Sequence, residues 1–329
     1  MAKRPWAIRG KAKISMIDFK VTALAGGIGA ARFLQGLVRV MDPGKLTVIV
    51  NTGDDIELFG LHISPDIDIV IYSLAGVVNP ETGWGFSNDR FACLAQLREF
   101  QYEDWFHLGD RDLATHIHRT WLLRQGRSLT QITDTIRKRF SLGPRILPMT
   151  NDSVATKIGT DKGVFHFQEY LVKRKARDRV RKVLFAGIKK ARPTRAVLES
   201  IRQADGIIIC PSNPIVSIGP ILALNGVREA LQKTRARILA ISPIVAGKPI
   251  KGPAGKIMSG LGMKVSATQV ARIYQDFLDV FIIDQADRKL EKEIVSLGCR
   301  VAVTDTIMKN LRSKIHLARV ACGTLQSPT

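Results

Sequence analysis

The chain has 329 residues, 45% of them hydrophobic, and a formal net charge of +21 at pH 7. This length allows a large α/β domain with a substantial core, and the apolar content excludes an intrinsically disordered chain. No run approaches the roughly 18 uncharged apolar residues that a membrane helix needs. Residues 1–19 form a basic tail without the apolar centre of a secretory signal, ahead of a domain at residues 20–329.

Strands alternate with helices along this domain, which predicts an α/β fold with a Rossmann-like, doubly wound, mainly parallel sheet. The predicted strands are residues 21–25, 46–50, 182–185, 206–210, 238–242, 280–283 and 300–304. The predicted helices are residues 31–41, 90–99, 113–125, 129–140, 194–203, 220–232, 267–278 and 306–320. Residues 163–182 fit neither rhythm, and we expect them to form a hairpin or a smaller inserted lobe.

A glycine-rich segment joins the first strand to the first helix. Glycines allow a tight turn and a close approach of the backbone to a ligand, and the N–H groups at a helix start attract anions. The order Gly26-Gly27-Ile28-Gly29 matches neither GxGxxG nor the P-loop pattern. The segment is therefore a weak candidate for phosphate binding, and a simple strand-to-helix turn is an alternative.

Two pairs of acids follow the second strand. Asp54 and Asp55 come after residues 46–50, at the edge where open α/β sheets bind ligands, and Asp66 and Asp68 follow within fifteen residues. Carboxylate oxygens suit Mg²⁺, which keeps water and bridges substrate phosphates. The alternative is that these acids only cap helices or form turns. Metal binding and these structural roles are about equally favoured by the sequence.

The next polar block is Asp110-Arg111-Asp112, with His116 close behind. An arginine between two acids can be held rigidly and still present its planar fork to a phosphate. Either acid could instead cap the helix that follows. For His116, the sequence favours a polar position on the helix face over a catalytic role.

Polar and prolyl loops also follow later strands. Residues 211–214, Pro-Ser-Asn-Pro, come after a buried strand, and Ser217 follows shortly. Residues 242–247 and 251–253 repeat this arrangement after the next strand. Their recurrence at successive strand ends indicates a ligand-binding edge, although each could be a simple connection.

The four cysteines lie far apart and form no CxxC pair: Cys93, Cys210, Cys299 and Cys322. This spacing argues against a zinc knuckle and a disulfide framework, and it predicts a cytoplasmic protein. The net charge raises nucleic-acid binding as an alternative function. Because the basic runs contain no interleaved aromatic residues, the sequence disfavours nucleic acid and favours a general attraction for anionic substrates.

Seven blocks in order give the chain its resemblance to a known family. They are residues 26–33, 51–55, 64–68, 83–89, 108–116, 147–152 and 211–214. The chain resembles the 2-phospho-L-lactate transferase family of coenzyme F-420 biosynthesis. The blocks run from about residue 21 to beyond residue 256, and so cover most of the domain.

The resemblance implies transfer of a phospholactyl or phosphoenolpyruvyl group from a guanosine diphosphate-activated donor. The acceptor would be the ribityl hydroxyl of Fo, 7,8-didemethyl-8-hydroxy-5-deazariboflavin. GMP would leave and Mg²⁺ would be required. The resemblance also implies a homodimer. Which three-carbon group the donor carries, lactyl, enolpyruvyl or glyceryl, leaves no mark in the sequence.

The resemblance also implies roles for individual residues. The expected catalytic residues are Asp54 and Arg111. The expected metal ligands are Asp54, Asp66 and Asp68. The expected contacts to Fo are Asp68, Trp84, Asn88 and Arg111. The expected contacts to the donor are Gly26, Gly27, Gly29, Ser212 and Asn213.

Three features depart from the family pattern: the long basic tail, the large charge excess and the basic run at residues 173–182. We expect this run to attract the anionic donor or to contact a partner subunit. An alternative function is that of a relative with the same fold that binds a nucleotide metabolite as a non-catalytic regulator. The Arg111 block and the Trp84 region favour the transferase.

Overall fold

The computed structural model describes residues 19–327, so the predicted basic tail lies outside the described residues except for Phe19. The strands are β1 (Val21–Ala25), β2 (Leu46–Val50), β3 (Ile56–Leu58), β4 (Leu61–Ile63), β5 (Arg145–Pro148), β6 (Ala155–Thr160), β7 (Gly163–His166), β8 (Val180–Ala186), β9 (Gly206–Ile209), β10 (Arg237–Ile241), β11 (Ile244–Val245), β12 (Lys248–Pro249), β13 (Val280–Asp284) and β14 (Arg300–Thr304). The helices are α1 (Gly27–Leu37), α2 (Pro65–Ala75), α3 (Ala92–Glu99), α4 (Asp110–Arg124), α5 (Leu129–Arg139), α6 (Arg195–Arg202), α7 (Gly219–Ala223), α8 (Val227–Lys233), α9 (Ala254–Gly260), α10 (Ala267–Tyr274), α11 (Glu291–Val295) and α12 (Leu311–Gln326).

The central sheet has seven parallel strands in the order β14-β13-β10-β9-β1-β2-β5. The strand order reverses between β1 and β9. In open α/β sheets, ligands bind at the carboxyl ends of the strands on either side of such a reversal. The fold therefore predicts a site where the segments after β1 and β9 meet. The α/β prediction with a doubly wound parallel sheet is confirmed.

Hydrophobic cores cover both faces of this sheet. Along β1, Ala23 packs with α1, α2, α5 and α12, while Leu24 packs on the opposite face with α6, α7, α8 and α10. Successive side chains of a strand point to opposite faces, so a strand covered on both sides is buried at every position and mainly apolar. The burial of all five residues of β1 follows from this arrangement. The one polar side chain of β1, Thr22, donates its hydroxyl to the carbonyl of Ser200.

A smaller antiparallel sheet, in the order β7-β6-β8, projects from the central sheet and is called the lobe below. The region predicted as a hairpin, residues 163–182, lies within it, together with a π-helical turn at Glu169–Lys173. The predicted strand at residues 182–185 exists as part of β8, but its assignment to the parallel sheet was wrong. It pairs with β6 instead.

Several helix boundaries differ from the predictions. The first helix begins at Gly27 instead of residue 31, so the glycine segment is its first turn. The helix predicted at residues 220–232 is two short helices, α7 and α8, separated at Gly226 with a φ of +85°. The last helix begins at Leu311, where Asn310 caps it, instead of at residue 306. The helix α2 and the edge strand β5 were not predicted.

Candidate active site

A cavity of about 390 Å³ lies at the carboxyl edge of the central sheet. Its walls come from the segments after β1, β2 and β9, from α2 and α4, from the lobe, and from the loops that precede α9 and α12. The lining includes Gly26, Gly27, Gly29, Arg32, Asp54, Asp66, Asp68, Tyr72, Trp84, Phe106, His107, Asp112, His116, Phe167, Gln168, Leu171, Ser212, Asn213, Ser217, Lys251 and Lys309. Most of the predicted site residues thus meet at one place, the reversal point of the strand order.

The glycine segment forms one wall because no side chain fits there. A Cβ atom on Gly29 would lie 2.2 Å from the carbonyl oxygen of Pro211, and one on Gly26 would lie 2.8 Å from Oδ2 of Asp66. Gly27 has a φ of +70°, which glycine adopts without strain. The glycines therefore let α1 start against the loop after β9 and leave open backbone at the cavity.

Asp66, in the first turn of α2, lies against the N-terminus of α1. Its Oδ1 accepts a hydrogen bond of 2.8 Å from the backbone N–H of Gly27, and its Oδ2 accepts one of 2.9 Å from Nδ2 of Asn51. A carboxylate in this position satisfies a free N–H group and interacts favourably with the helix dipole. Burial nevertheless raises the pKa of Asp66 to about 6.

Asp54 is a buried acid with an unused oxygen. Its side chain is only 3% exposed, and its Oδ1 has no hydrogen-bond partner among the described residues. Burial raises the pKa of Asp54 well above its usual range, and the negative charge of Asp66 raises it further. A free carboxylate oxygen beside a second acid is an environment that a bound cation would stabilise.

These two acids fit a divalent cation that shares its ligands with a substrate. Among residues 19–327, no group of three His, Cys, Asp or Glu side chains could hold a metal ion. Magnesium is commonly bound through one or two carboxylates, with water and substrate phosphates completing its shell. Asp54 and Asp66 are therefore the residues that would hold it here.

The third acid predicted as a metal ligand, Asp68, forms an ion pair instead. Both of its oxygens accept hydrogen bonds from the guanidinium of Arg119, which is fully buried. Burial alone would lower the pKa of Arg119, but the charge of Asp68, its hydrogen bonds and other nearby negative groups together raise the pKa. Asp68 still lines the cavity, as part of a buried network that the sequence did not reveal.

His116 lies on the buried face of α4 and lines the cavity, with 1% of its surface exposed. Its Nδ1 lies 3.1 Å from Nη1 of Arg119. Because arginine can only donate, Nδ1 accepts, and the ring proton of neutral His116 lies on Nε2. That atom has no hydrogen-bond partner among the described residues and lies 3.4 Å from Oδ1 of Asp112.

The lobe fixes the loop that carries Asp54. The backbone N–H of Thr156 donates to the carbonyl of Gly53 over 2.6 Å. On β7, Nδ1 of His166 accepts from the backbone N–H of Gln168, so Nε2 carries the proton and donates to the carbonyl of Asp55 over 3.1 Å. Burial lowers the pKa of His166 and favours this neutral form.

The two predicted donor contacts after β9 carry unused polar atoms. Ser212 is buried and its Oγ has no partner among the described residues. Asn213 uses Oδ1 to accept from the backbone N–H groups of Ile215 and Val216, which leaves its Nδ2 unpartnered. Both side chains line the cavity, so a hydroxyl and an amide N–H are available to a ligand.

The predicted Fo contacts divide between the cavity and its surroundings. Trp84 lines the cavity and is 37% exposed. Asn88 and Arg111 are exposed and lie outside the lining. The guanidinium of Arg111 packs 4.5 Å from the ring centre of Phe86 and donates to the carbonyl of Ser87.

The acids beside Arg111 do not hold its side chain. Asp110 accepts from the backbone N–H groups of Ala92 and Cys93 at the start of α3. Asp112 accepts a hydrogen bond of 2.9 Å from the hydroxyl of Tyr72. The start of α4 is instead capped by Asp89, which accepts from the backbone N–H of Arg111. The rigid phosphate fork expected at Arg111 is therefore absent from the cavity in the described structure.

Comparison with known proteins identifies the family. The chain matches the family described as 2-phospho-L-lactate transferase CofD over residues 21–318. It is 41% identical over 300 residues to a 2-phospho-L-lactate transferase of Methanosarcina acetivorans, covering 91% of this chain and 97% of that protein. It is 40% identical over 309 residues to a phosphoenolpyruvate transferase of Kitasatospora aureofaciens, covering 92% of this chain and 96% of that protein.

Solved structures show the same fold. A crystal structure of a UPF0052 family protein from Bacillus halodurans superposes with a TM-score of 0.62 at 16% identity. The superposition covers 93% of this chain and 99% of the Bacillus halodurans chain, so the similarity extends over the whole domain. Identity this low supports the fold alone, whereas the family rests on the sequence matches. The chain belongs to the 2-phospho-L-lactate transferase CofD family and is a transferase of that family.

Proposed function

We propose that the protein moves a phospholactyl or phosphoenolpyruvyl group from a guanosine diphosphate-activated donor to the ribityl hydroxyl of Fo, releasing GMP, with Mg²⁺. The relatives include proteins named for each of the two groups. The observation that supports this reaction best is the orphaned Oδ1 of Asp54, buried beside Asp66 and the glycine segment. An acid pair next to open backbone suits a cation-assisted displacement at phosphorus.

The residues around the cavity suit the two ends of such a donor. The backbone of the glycine segment would lie against the diphosphate, and Ser212 and Asn213 would contact the guanosine through their unused polar atoms. Asp54 and Asp66 would hold Mg²⁺, which when bound supplies positive charge to the phosphate oxygens. Since Gly27 already donates to Asp66, the acid pair and the glycine segment form one connected wall.

The acceptor would lie on the side of Trp84 and α4. Trp84 offers a partly exposed ring on which a deazaflavin could stack. His116 presents a neutral Nε2–H as a hydrogen-bond donor in an otherwise buried position. Because Asp68 and Arg119 hold this imidazole from behind, we assign them to positioning His116 and not to contact with the metal.

Incubation of the protein with Fo, MgCl₂ and each guanylylated three-carbon donor tests the proposal directly. Mass analysis should show the phosphorylated Fo product together with an equal amount of GMP. The relative rates with lactyl, enolpyruvyl and glyceryl donors would identify the natural group. Binding of a nucleotide metabolite without any product would instead favour the non-catalytic regulator.

Asp54→Asn is the variant that tests the acid pair. It should lower kcat by at least about 100-fold, because an amide is a poorer ligand and carries no charge for the cation. The variant should remain folded, since it removes the repulsion between two buried carboxylates. The readouts are turnover of Fo and the thermal unfolding temperature. Near-normal turnover would exclude Asp54 from the mechanism.

We also propose a cytoplasmic homodimer. All four cysteines are free thiols, which agrees with a reducing compartment. None of the helices in residues 19–327 is long and apolar enough to cross a membrane. On α4, Ile117 and Trp121 are more than half exposed and one turn apart, and such an apolar stripe suits a subunit contact. Light scattering at several protein concentrations would test the dimer.

A further inference from the structure

One part of the cavity wall is basic. Arg32 on α1, Lys251 after β12 and Lys309 before α12 all line the cavity. Lys314 on α12 lies close enough to Arg32 for the two charges to interact. These four residues are called the basic wall below. The acids of the cavity, by contrast, come from the loop after β2 and from α2 and α4.

Within residues 19–327, the basic wall has no acidic partner. The Nζ of Lys251 donates to the carbonyl of Thr82 over 2.8 Å, and the Nζ of Lys314 donates to Oε1 of Gln35 over 2.6 Å. Both acceptors are neutral. Across residues 19–327, no member of the basic wall forms an ion pair with an aspartate or glutamate. Its positive charge is therefore uncompensated.

The cations are held together despite their repulsion. A Cβ atom on Gly36 of α1 would lie 2.2 Å from the carbonyl oxygen of Lys314, so α1 and α12 are in close backbone contact. This contact keeps Lys314 beside the face of α1 that carries Arg32. Burial lowers the pKa of both Lys251 and Lys314, and the charge of Arg32 lowers each further. A bound anion would relieve this repulsion.

The position of Arg32 indicates which anion binds. Arg32 follows Gly29 by three residues, so it lies one helical turn beyond the glycine segment proposed to hold the diphosphate. The proposed donor carries a carboxylate on the three-carbon group attached to this diphosphate. A guanidinium binds a carboxylate through two parallel hydrogen bonds, and nearby ammonium groups add charge.

We propose that Arg32, Lys251 and Lys309 form a subsite for the carboxylate of the donor's three-carbon group. This inference rests on the proposed function. It adds a reason why the donor's three-carbon group must carry a carboxylate. GDP lacks this carboxylate but carries about the same total charge at pH 8, since its terminal phosphate is doubly ionised. The two ligands therefore separate a local contact from a general attraction.

Isothermal titration without acceptor tests the subsite. Enolpyruvyl-diphosphoguanosine and GDP are titrated, each with MgCl₂, into wild type, Arg32→Gln and Lys309→Gln. We expect Arg32→Gln to raise the donor Kd by about 10- to 100-fold and the GDP Kd by less than about 2-fold, as for the loss of a charge-assisted contact. Lys309→Gln, at an exposed position, should fold normally and weaken donor binding in the same selective way.

Arg39→Gln is the control, because it removes the same charge from the turn directly after the same helix, outside the cavity lining. It should leave both Kd values within about 2-fold of wild type. An unchanged donor Kd in Arg32→Gln, or an equal loss of GDP and donor affinity, would overturn the subsite. If wild type binds the donor selectively through Arg32 but transfers nothing to Fo, the subsite stands and the proposed function fails. If wild type transfers normally and Arg32→Gln binds normally, the subsite alone fails.

Discussion

Asp54 and Asp66 are buried acids that no basic side chain of the described residues neutralises by an ion pair. Asparagine, a backbone N–H group and the helix dipole stabilise Asp66 only in part. Ionising the two acids therefore carries a remaining free-energy cost in the folded protein. The stability of the site should depend on pH and, if the proposed cation binds, on the cation.

The stability of the metal-free protein should fall as pH rises from about 4 to about 6. In this window Asp66 keeps its proton in the folded state, with a pKa of about 6, but loses it in the unfolded state. The loss should be on the order of 2–3 kcal/mol. Urea unfolding at a series of pH values, with EDTA, measures it. Asp66→Asn should reduce this slope, with the remainder coming from Asp54, whose pKa is also raised; an unchanged slope would show that Asp66 does not contribute.

Magnesium should restore this stability only where the acids are ionised. Binding to the folded state adds a stabilising free energy that grows with the ratio of metal concentration to Kd. Addition of MgCl₂ should therefore raise the thermal unfolding temperature of wild type at pH 8 and have little effect at pH 5. Asp54→Asn serves as the control, because it removes one of the two ligands. An equal effect at both pH values would contradict a site built from these acids.

The ion pair between Asp68 and Arg119 should stabilise the part of the cavity wall formed by Asp68 and His116. Arg119→Met leaves Asp68 buried without its counter-charge, and we expect a loss of about 3–5 kcal/mol in the free energy of unfolding. Adding Asp68→Asn should recover part of this loss. Arg195→Met, in an exposed pair with Glu199, is the control and should cost less than about 1 kcal/mol. Denaturant unfolding of wild type and these three variants tests whether the buried pair is structural.

The sequence could place Asp66 and Asp68 near the site but could not separate their roles. They are two residues apart in the first turn of α2, so their side chains leave the helix in nearly opposite directions. One meets Gly27, and the other meets Arg119, which lies 51 residues away in the chain. No local pattern carries information about a partner so distant. A buried arginine among polar helix residues leaves no periodic signal either.

At the level of elements, the sequence was most informative about buried strands. Mainly apolar runs predicted the buried strands β1 and β2 with their observed bounds. The edge strand β14 was also predicted with its observed bounds. Edge strand β5 ends in proline and lacks such a run, and it was missed. The strand β8 was found but assigned to the wrong sheet, because its pairing with β6 depends on contacts between distant segments. Helix starts were less certain, since a glycine-rich turn reads as a loop even when it is helical.

The contact between α1 and the loop after β9 depends on Gly29. In Gly29→Ala, the new methyl group would lie 2.2 Å from the carbonyl oxygen of Pro211 and must push the two segments apart. We expect a loss of about 1–3 kcal/mol in stability and weaker binding of GDP. Gly323→Ala on α12 has open space and should stabilise the protein by about 0.5–1 kcal/mol. Thermal unfolding and GDP titration of both variants distinguish a steric effect from the general effect of replacing a helical glycine.

At the scale of the whole molecule, part of the positive charge lies beside the cavity. The basic run at residues 173–182 begins next to Leu171 and Val172, which line the cavity. Lys173 pairs with Glu103, and Arg174 pairs with Asp178, so these two charges are compensated. Lys175, Arg177 and Arg181 are exposed and without an ion pair among the described residues. This part of the lobe therefore adds a positive field beside the cavity.

The field of these three residues should speed the capture of an anionic donor. Replacing Lys175, Arg177 and Arg181 together by glutamine should lower kcat/KM for the donor by about 3- to 10-fold at low salt, with little change in kcat. The difference should vanish near 0.5 M salt, where the Debye length is only a few ångströms. Replacing Arg202, Lys233 and Arg235, which precede β9 and β10 at the opposite edge of the sheet, is the matched control and should have little effect. A loss of activity that persists at high salt would instead indicate direct contact with the donor or a structural role for this part of the lobe. An altered oligomeric state of the triple variant would place these three residues at a subunit interface.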